Sequence, residues 1–170
     1  PVWAKYYGDS VMVYSFSKSL SLAGDRIGYA AVSPYAREAE KLTAAIRIAQ
    51  GICGYVNAPA FFQAVAGMCA DVEPDLSYYR ENRSLLYSKL KELGFEAHEP
   101  EGAFYIFVKS PLPDERDFIE AAAKRRLIFI GGGAFACPGY ARLSFCAGRG
   151  VIEGALGALE ALARDCGLRE

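Results

Sequence analysis

The chain has 170 residues, 52% of them hydrophobic and 23% charged, with a formal net charge of −1. That length and composition predict a packed core in one domain, or one domain and a small piece, and exclude a disordered chain. The near-neutral charge gives no electrostatic ground for nucleic acid or an anionic membrane surface as partner, and no apolar run is long enough to cross a bilayer.

The five cysteines (Cys53, Cys69, Cys137, Cys146 and Cys166) are scattered, odd in number and without a CxxC pair. They predict neither a disulfide framework nor a zinc site, and they fit a reducing cytoplasm. One histidine, His98, leaves no room for a multi-histidine metal site, so no metal is expected. No charged-then-apolar leader is recognised. The first residue is Pro1 rather than methionine, and the chain reads as a piece of a longer one.

In chain order, residues 11–16 (VMVYSF) read as a buried strand and 27–32 (IGYAAV) as a second, closed by Ser33-Pro34. Residues 35–50 place Ala39, Leu42, Ile46 and Ala49 at helical spacing. The loop GICGYVNAP (51–59) follows, then a helix over 59–70 with Pro59 near its start. Residues 75–93 give the clearest helix, with Asp75 as cap, Tyr79, Leu86, Leu90 and Leu93 on its apolar face, and Gly94 at its end. Beyond it come a strand at 103–109, a helix at 114–126 with a basic C-terminal end, a strand LIFI at 127–130 running into GGG, a strand at 141–146 and a helix at 151–163. The order predicts an α/β chain. The helix after Pro74 is the best candidate for a connector, with one unit over residues 1–74 and another over 75–170.

The segment YSFSKSLSLAGDRIGY (14–29) carries the chemistry. Lys18 and Arg26 lie in an apolar neighbourhood among the hydroxyls of Ser15, Ser17 and Ser19. A lysine amine becomes nucleophilic when burial or nearby positive charge lowers its pKa. Hydroxyls and a guanidinium fork can hold a phosphate beside it. Residue types alone leave two readings open: a solvated lysine in a Ser-rich loop, or a lysine poised against an aldehyde cofactor that carries a phosphate.

SFSKSLSLAGDRIGY closely resembles the cofactor-lysine segment of the fold-type I, pyridoxal-phosphate-dependent aminotransferases of class I/II. The matching residues are Ser15, Ser17, Lys18, Arg26, Ile27 and Gly28. The resemblance implies that Lys18 forms the internal aldimine with pyridoxal 5′-phosphate and shuttles the substrate Cα proton. It also implies that Ser15 and Arg26, with Ser17, bind the cofactor. EGAFYIFV (101–108) is similar to the family's Gly-Ala-Phe-Tyr strand, and GGGAFACPGYARLSF (131–145) to its segment ending in Arg-x-Ser-Phe. There Arg142 matches the arginine that grips the substrate α-carboxylate; its alternating context, with Leu143 and Phe145 opposite Arg142 and Ser144, also permits a strand-edge surface residue. Tyr55 and Asn57 are candidates for lining the site, or form a turn with a capping asparagine. Arg47 and Arg149 are available for a second carboxylate, but neither falls in a motif. GGG is not read as a phosphate-binding P-loop, because no Lys-Ser/Thr follows and it opens no helix; a tight mobile turn is expected instead. His98 is expected in a surface loop.

The resemblance covers the end of the large domain, with the lysine, and the small C-terminal domain. The family's upstream Asp, which pairs with the pyridine nitrogen, is not matched. The function implied is amino-group transfer between an amino acid and a 2-oxo acid, in a cytoplasmic homodimer when full-length, with the isolated piece inactive. The motifs serve equally a C–S lyase, a decarboxylase or a cyclopropane-carboxylate synthase on the same scaffold. A non-catalytic module that dimerises through exposed strand edges is a reading of another class.

Overall fold

A computed structural model describes residues 3–102 and 104–169. The chain divides into two compact units, one running through Asp75 and the other beginning at Leu76.

The first unit contains β1 (Val11–Ser15), a one-turn helix α1 (Phe16–Ser19), β2 (Gly28–Val32), α2 (Ala39–Ile52) and α3 (Ala60–Met68). β1 and β2 form an antiparallel pair in which Val11 faces Val32 and Ser15 faces Gly28. The alternation and β-branched content that predict two strands are thus expressed as a ribbon. Their predicted burial is not: Val13 is 81% exposed, and Tyr14 and Tyr29 stack on the ribbon surface with centroids 5.3 Å apart. A strand's composition fits it for a core, but burial needs a neighbour. Among the described residues no third strand joins this pair. α2 has no buried residue and α3 only Ala66.

The second unit contains α4 (Ser77–Glu92), β3 (Tyr105–Lys109), α5 (Glu115–Lys124), β4 (Ile130–Gly131), β5 (Tyr140–Ser144) and α6 (Arg149–Asp165). The sheet is antiparallel in the order β3-β5-β4, so β5 is its central strand. Strand residues alternate between faces. Ile106, Val108, Ala141 and Leu143 point inward and are buried with Leu86, Leu90, Phe118, Leu159 and Leu162 of the helices. Tyr105, Phe107 and Arg142 lie on the other face and stay half-buried.

Three local expectations are corrected here. α4 starts at Ser77 with Leu76, not Asp75, in the cap position. Of LIFI, only Ile130 pairs in the sheet; Leu127 and Phe129 are buried and Ile128 is 90% exposed, the alternation of a strand outside the ladder. GGG does open a short helix, since Gly132–Phe135 form a 3-10 turn.

Two polar fastenings complete the second unit. Asn82, on the apolar face of α4, is fully buried and donates from Nδ2 to the carbonyls of Phe145 (3.2 Å) and Ala147 (3.0 Å). Arg125, just past α5, donates from Nε and Nη2 to the two carboxylate oxygens of Asp165 at 2.7 and 2.8 Å. That fork holds the Asp165 carboxyl below its ordinary range, chiefly through the side-chain hydrogen bonds. A lowered folded-state value gives stability that is present above the unfolded carboxylate range and lost as pH falls through the folded one. Asp165→Asn is therefore expected to lower the Tm near neutral pH, with the gap from wild type closing in acid. Thermal melts of both proteins across that range check it.

Candidate active site

The lysine turn is built by the ribbon. Ser15 ends β1 and caps α1: its Oγ accepts from the Ser17 N–H at 3.2 Å and donates to the Ser17 Oγ at 2.8 Å. This cap turns the chain into one helical turn that carries Lys18. The Leu20 and Leu22 N–H groups donate to the Phe16 carbonyl at 3.2 and 3.3 Å, which coils the segment onto itself. Ile27 is 5% exposed and anchors the return, and the Phe16 N–H donates to its carbonyl at 3.1 Å.

Arg26 sits just before that anchor with φ +54, a left-handed conformation costly for a side-chain-bearing residue. Its Nη1 donates to the Ala23 carbonyl at 2.9 Å. Gly28 is required by close approach: a Cβ there would run into the Tyr14 carbonyl and lie 3.2 Å from the Ser15 Cα. The register Ser15–Gly28 therefore brings Ser15, Ser17, Lys18 and Arg26 to one end of the ribbon.

Lys18, Ser15 and Arg26 are exposed. The burial expected around the lysine is not found: Lys18 is exposed at the end of the ribbon. The Ser19 Oγ is buried without a hydrogen-bond partner, an orphaned polar atom at the end of this turn.

Tyr55 is 78% exposed, Asn57 is exposed, and the cap of α3 is Pro59, so Asn57 does not cap that helix. Neither is joined to the lysine turn by a hydrogen bond among the described residues.

In the second unit, Arg142 stands in the central strand, opposite Phe107 on one side and Ile130 on the other. The strand-edge alternative for Arg142 is thereby removed. Its Cζ lies 4.0 Å from the Tyr105 ring centroid and 3.9 Å from that of Phe135, which belongs to the 3-10 turn. Arg149 is engaged elsewhere: its Nε donates to Glu153 at 2.7 Å, and its Nη1 lies 3.9 Å from Glu81.

The Aminotransferase class I and II family model matches residues 2–158. The chain belongs to that family.

An aminotransferase from Eubacterium rectale has a crystal structure similar to this chain, with a TM-score of 0.85 and 38% identity, covering 97% of this chain and 42% of that one. The aspartate aminotransferase of Thermotoga maritima is 31% identical over 136 residues, 79% of this chain and 34% of its own length. The valine–pyruvate aminotransferase of Mycobacterium tuberculosis is 30% identical over 161 residues, 87% of this chain and 40% of its own. The chain thus spans about two fifths of the length of such relatives or less. Its architecture is that of a fold-type I aminotransferase, in part. Among the described residues, no helix is long and apolar enough to cross a membrane.

Sequence reasoning did not place the Tyr105 and Phe135 rings against Arg142. Tyr105 was within reach, since period-2 alternation puts it on the face opposite Ile106 and Val108. Phe135 gave no local signal, because its contact with Arg142 depends on the 3-10 turn folding back against β5.

Proposed function

We propose that this chain is the part of a pyridoxal-phosphate-dependent aminotransferase that carries the cofactor lysine and the substrate-carboxylate arginine. Residues 1–74 would be the tail of the large cofactor domain and 75–170 the connector helix and small domain of a cytoplasmic homodimer. One observation carries the reading: Lys18, two serine hydroxyls and Arg26 all lie in the segment from the last residue of β1 to the start of β2, at one end of the ribbon. That set fits pyridoxal 5′-phosphate. A phosphate dianion takes hydroxyl and guanidinium donors, which Ser15, Ser17 and Arg26 offer, and the orphaned Ser19 hydroxyl is a further polar atom at the same turn.

When bound, the cofactor supplies an aldehyde for amines and a conjugated ring that accepts the electron pair left at the substrate Cα. The chain's own residues do the rest. Arg26 and the serines hold the phosphate and so orient the ring. The Lys18 Nζ is the base that takes the proton from Cα and returns it. Arg142 accepts the α-carboxylate through two parallel N–H···O bonds, a geometry lysine lacks. Tyr55 and Asn57 line the site. Relatives named for aspartate and for valine–pyruvate share the family, so the commitment is to the end common to their substrates, an α-amino acid exchanging with a 2-oxo acid. Because Lys18, Ser15 and Arg26 are exposed in this chain, the 170-residue piece alone is proposed to turn over little or no substrate.

The test is an exchange assay on the full-length enzyme with amino acids and 2-oxoglutarate. One keto acid per amino acid formed is the expected result. Release of carbon dioxide, or of ammonia with a thiol, would replace amino-group transfer with a decarboxylase or a C–S lyase. In the same assay, Arg142→Lys should raise KM for amino donor and acceptor alike by about 10–100-fold, the value of a charge-assisted pair lost from both.

A further inference from the structure

We infer that Tyr105 and Phe135 clamp the Arg142 guanidinium for its carboxylate, and that Glu115 is the latch holding the Phe135 turn against it. The inference rests on the carboxylate reading of Arg142 given above and adds three positioning residues to it.

The first ground is the state of the guanidinium. Both rings approach its Cζ to about the same distance, 4.0 Å for Tyr105 and 3.9 Å for Phe135. Among the described residues it has no carboxylate partner and makes no side-chain hydrogen bond, whereas Arg37, Arg116, Arg125 and Arg149 are all engaged by carboxylates. A half-buried cation held by π faces keeps its in-plane N–H donors for an incoming anion. Aromatic contact leaves that fork geometry intact, where an ion pair would occupy it.

The second ground is how the clamp is held. Tyr105 is rigid because β3 pairs with β5 along its whole length, from Tyr105–Ser144 to Lys109–Tyr140. Phe135 is not in the sheet; it belongs to the turn between β4 and β5. Its ring meets Phe107 edge-on, with centroids 6.0 Å apart. One carboxylate ties both ends of that turn: Glu115 accepts from the Gly133 N–H at 3.2 Å and from the Gly139 N–H at 2.5 Å. Glu115 is the first residue of α5, on the rigid side of the unit. The turn is closed further by Cys137 N–H to the Gly132 carbonyl at 2.9 Å and Ser110 N–H to the Gly139 carbonyl at 2.8 Å. Without the Glu115 carboxylate, the segment between residues 133 and 139 loses its charge-assisted tie, and Phe135 loses its fixed height above Arg142.

The test uses four variants, Arg142→Lys, Phe135→Leu, Phe135→Tyr and Glu115→Gln, with two readouts. In the 15N-arginine-labelled chain, the Arg142 Nε–Hε signal, assigned by its loss in Arg142→Lys, should carry an upfield ring-current shift. Phe135→Leu and Glu115→Gln should both move it downfield, and Phe135→Tyr should retain it. In the full-length enzyme, Phe135→Leu and Glu115→Gln should raise KM for the amino donor and for 2-oxoglutarate by about 3–30-fold, with kcat within about twofold, while Phe135→Tyr stays near wild type. An unchanged KM in Arg142→Lys overturns the carboxylate reading and this proposal with it. A raised KM in Arg142→Lys, with Phe135→Leu and Glu115→Gln at the wild-type value, overturns the clamp and leaves the carboxylate reading standing. If Glu115→Gln does not fold, the contrast between Phe135→Leu and Phe135→Tyr decides.

Discussion

Replacing Lys18 with alanine should cut amino-group transfer by the full-length enzyme by ~10²–10⁴-fold or more, the range for losing a positioned proton-transfer group. The loss should fall on kcat, since the carboxylate of the substrate is read elsewhere. Lys18→Arg is the informative companion. A guanidinium keeps the positive charge but does not deprotonate in a protein, so it can be neither nucleophile nor base. If Lys18 served only as a counter-charge, arginine would rescue; on the chemistry proposed here it does not. A second readout is independent of turnover. The chain is incubated with pyridoxal 5′-phosphate, reduced with borohydride and digested. A pyridoxyl group should appear on the peptide containing Lys18 and be absent from the Lys18→Ala peptide. Because Lys18 is exposed, reagent access does not limit the reaction. A label spread evenly over all lysines, or an active Lys18→Arg enzyme, would remove Lys18 from the mechanism.

The largest stability effect is expected at Asn82. Asn82→Asp changes one atom of a fully buried side chain whose Nδ2 donates to the carbonyls of Phe145 and Ala147. At pH 7 the new oxygen accepts only, so both bonds become contacts between acceptors, and a charge is buried without a partner. About 3–5 kcal/mol should be lost. The sign with pH follows from burial. The folded carboxyl is pushed above its unfolded value of about 3.9, so the protonated form is favoured in the native state. Below the unfolded value the variant is neutral and its O–H can donate to one carbonyl, so the deficit is smallest there. It grows as pH rises to the folded value and is flat beyond it. Asn82→Ala should cost about 2–4 kcal/mol, from the cavity and the unpaired carbonyls, with no such pH trend. Urea unfolding of the three proteins at acid and neutral pH separates these outcomes; an Asn82→Asp deficit independent of pH would mean that the side chain is not sealed from water.

Much of the fold is legible in the residues because local rules and final structure agree. The spacing of Leu86, Leu90 and Leu93 marks the buried face of α4, and the alternation of ARLSF separates Leu143 and Phe145, both buried, from Arg142. Burial of β1 is not legible, because VMVYSF records what the strand suits and not what covers it. The helical turn at Phe16–Ser19 is too short for periodicity to reveal, although Ser15 ahead of Ser17 is the signature of its cap. Asn82 is visible as a polar residue on an apolar stripe, but the two carbonyls it holds lie more than 60 positions away. At the site, resemblance brings out the lysine and the arginine by their motifs. It is silent on Phe135 and Glu115, whose relation to Arg142 exists only once the turn between β4 and β5 has folded back against β5.

The place of Arg142 in the central strand also bears on how the sheet finds its pairing. Slipping β5 by one residue against β3 and β4 would turn every side chain to the opposite face. Arg142 would then enter the layer now held by Ile106, Val108 and Leu143, each 5% exposed or less, and Leu143 would face water. An unpaired guanidinium in that layer costs several kcal/mol, enough to deplete the slipped pairing strongly. The arginine proposed to read a substrate's carboxylate therefore also disfavours the slipped alignment, with or without a ligand.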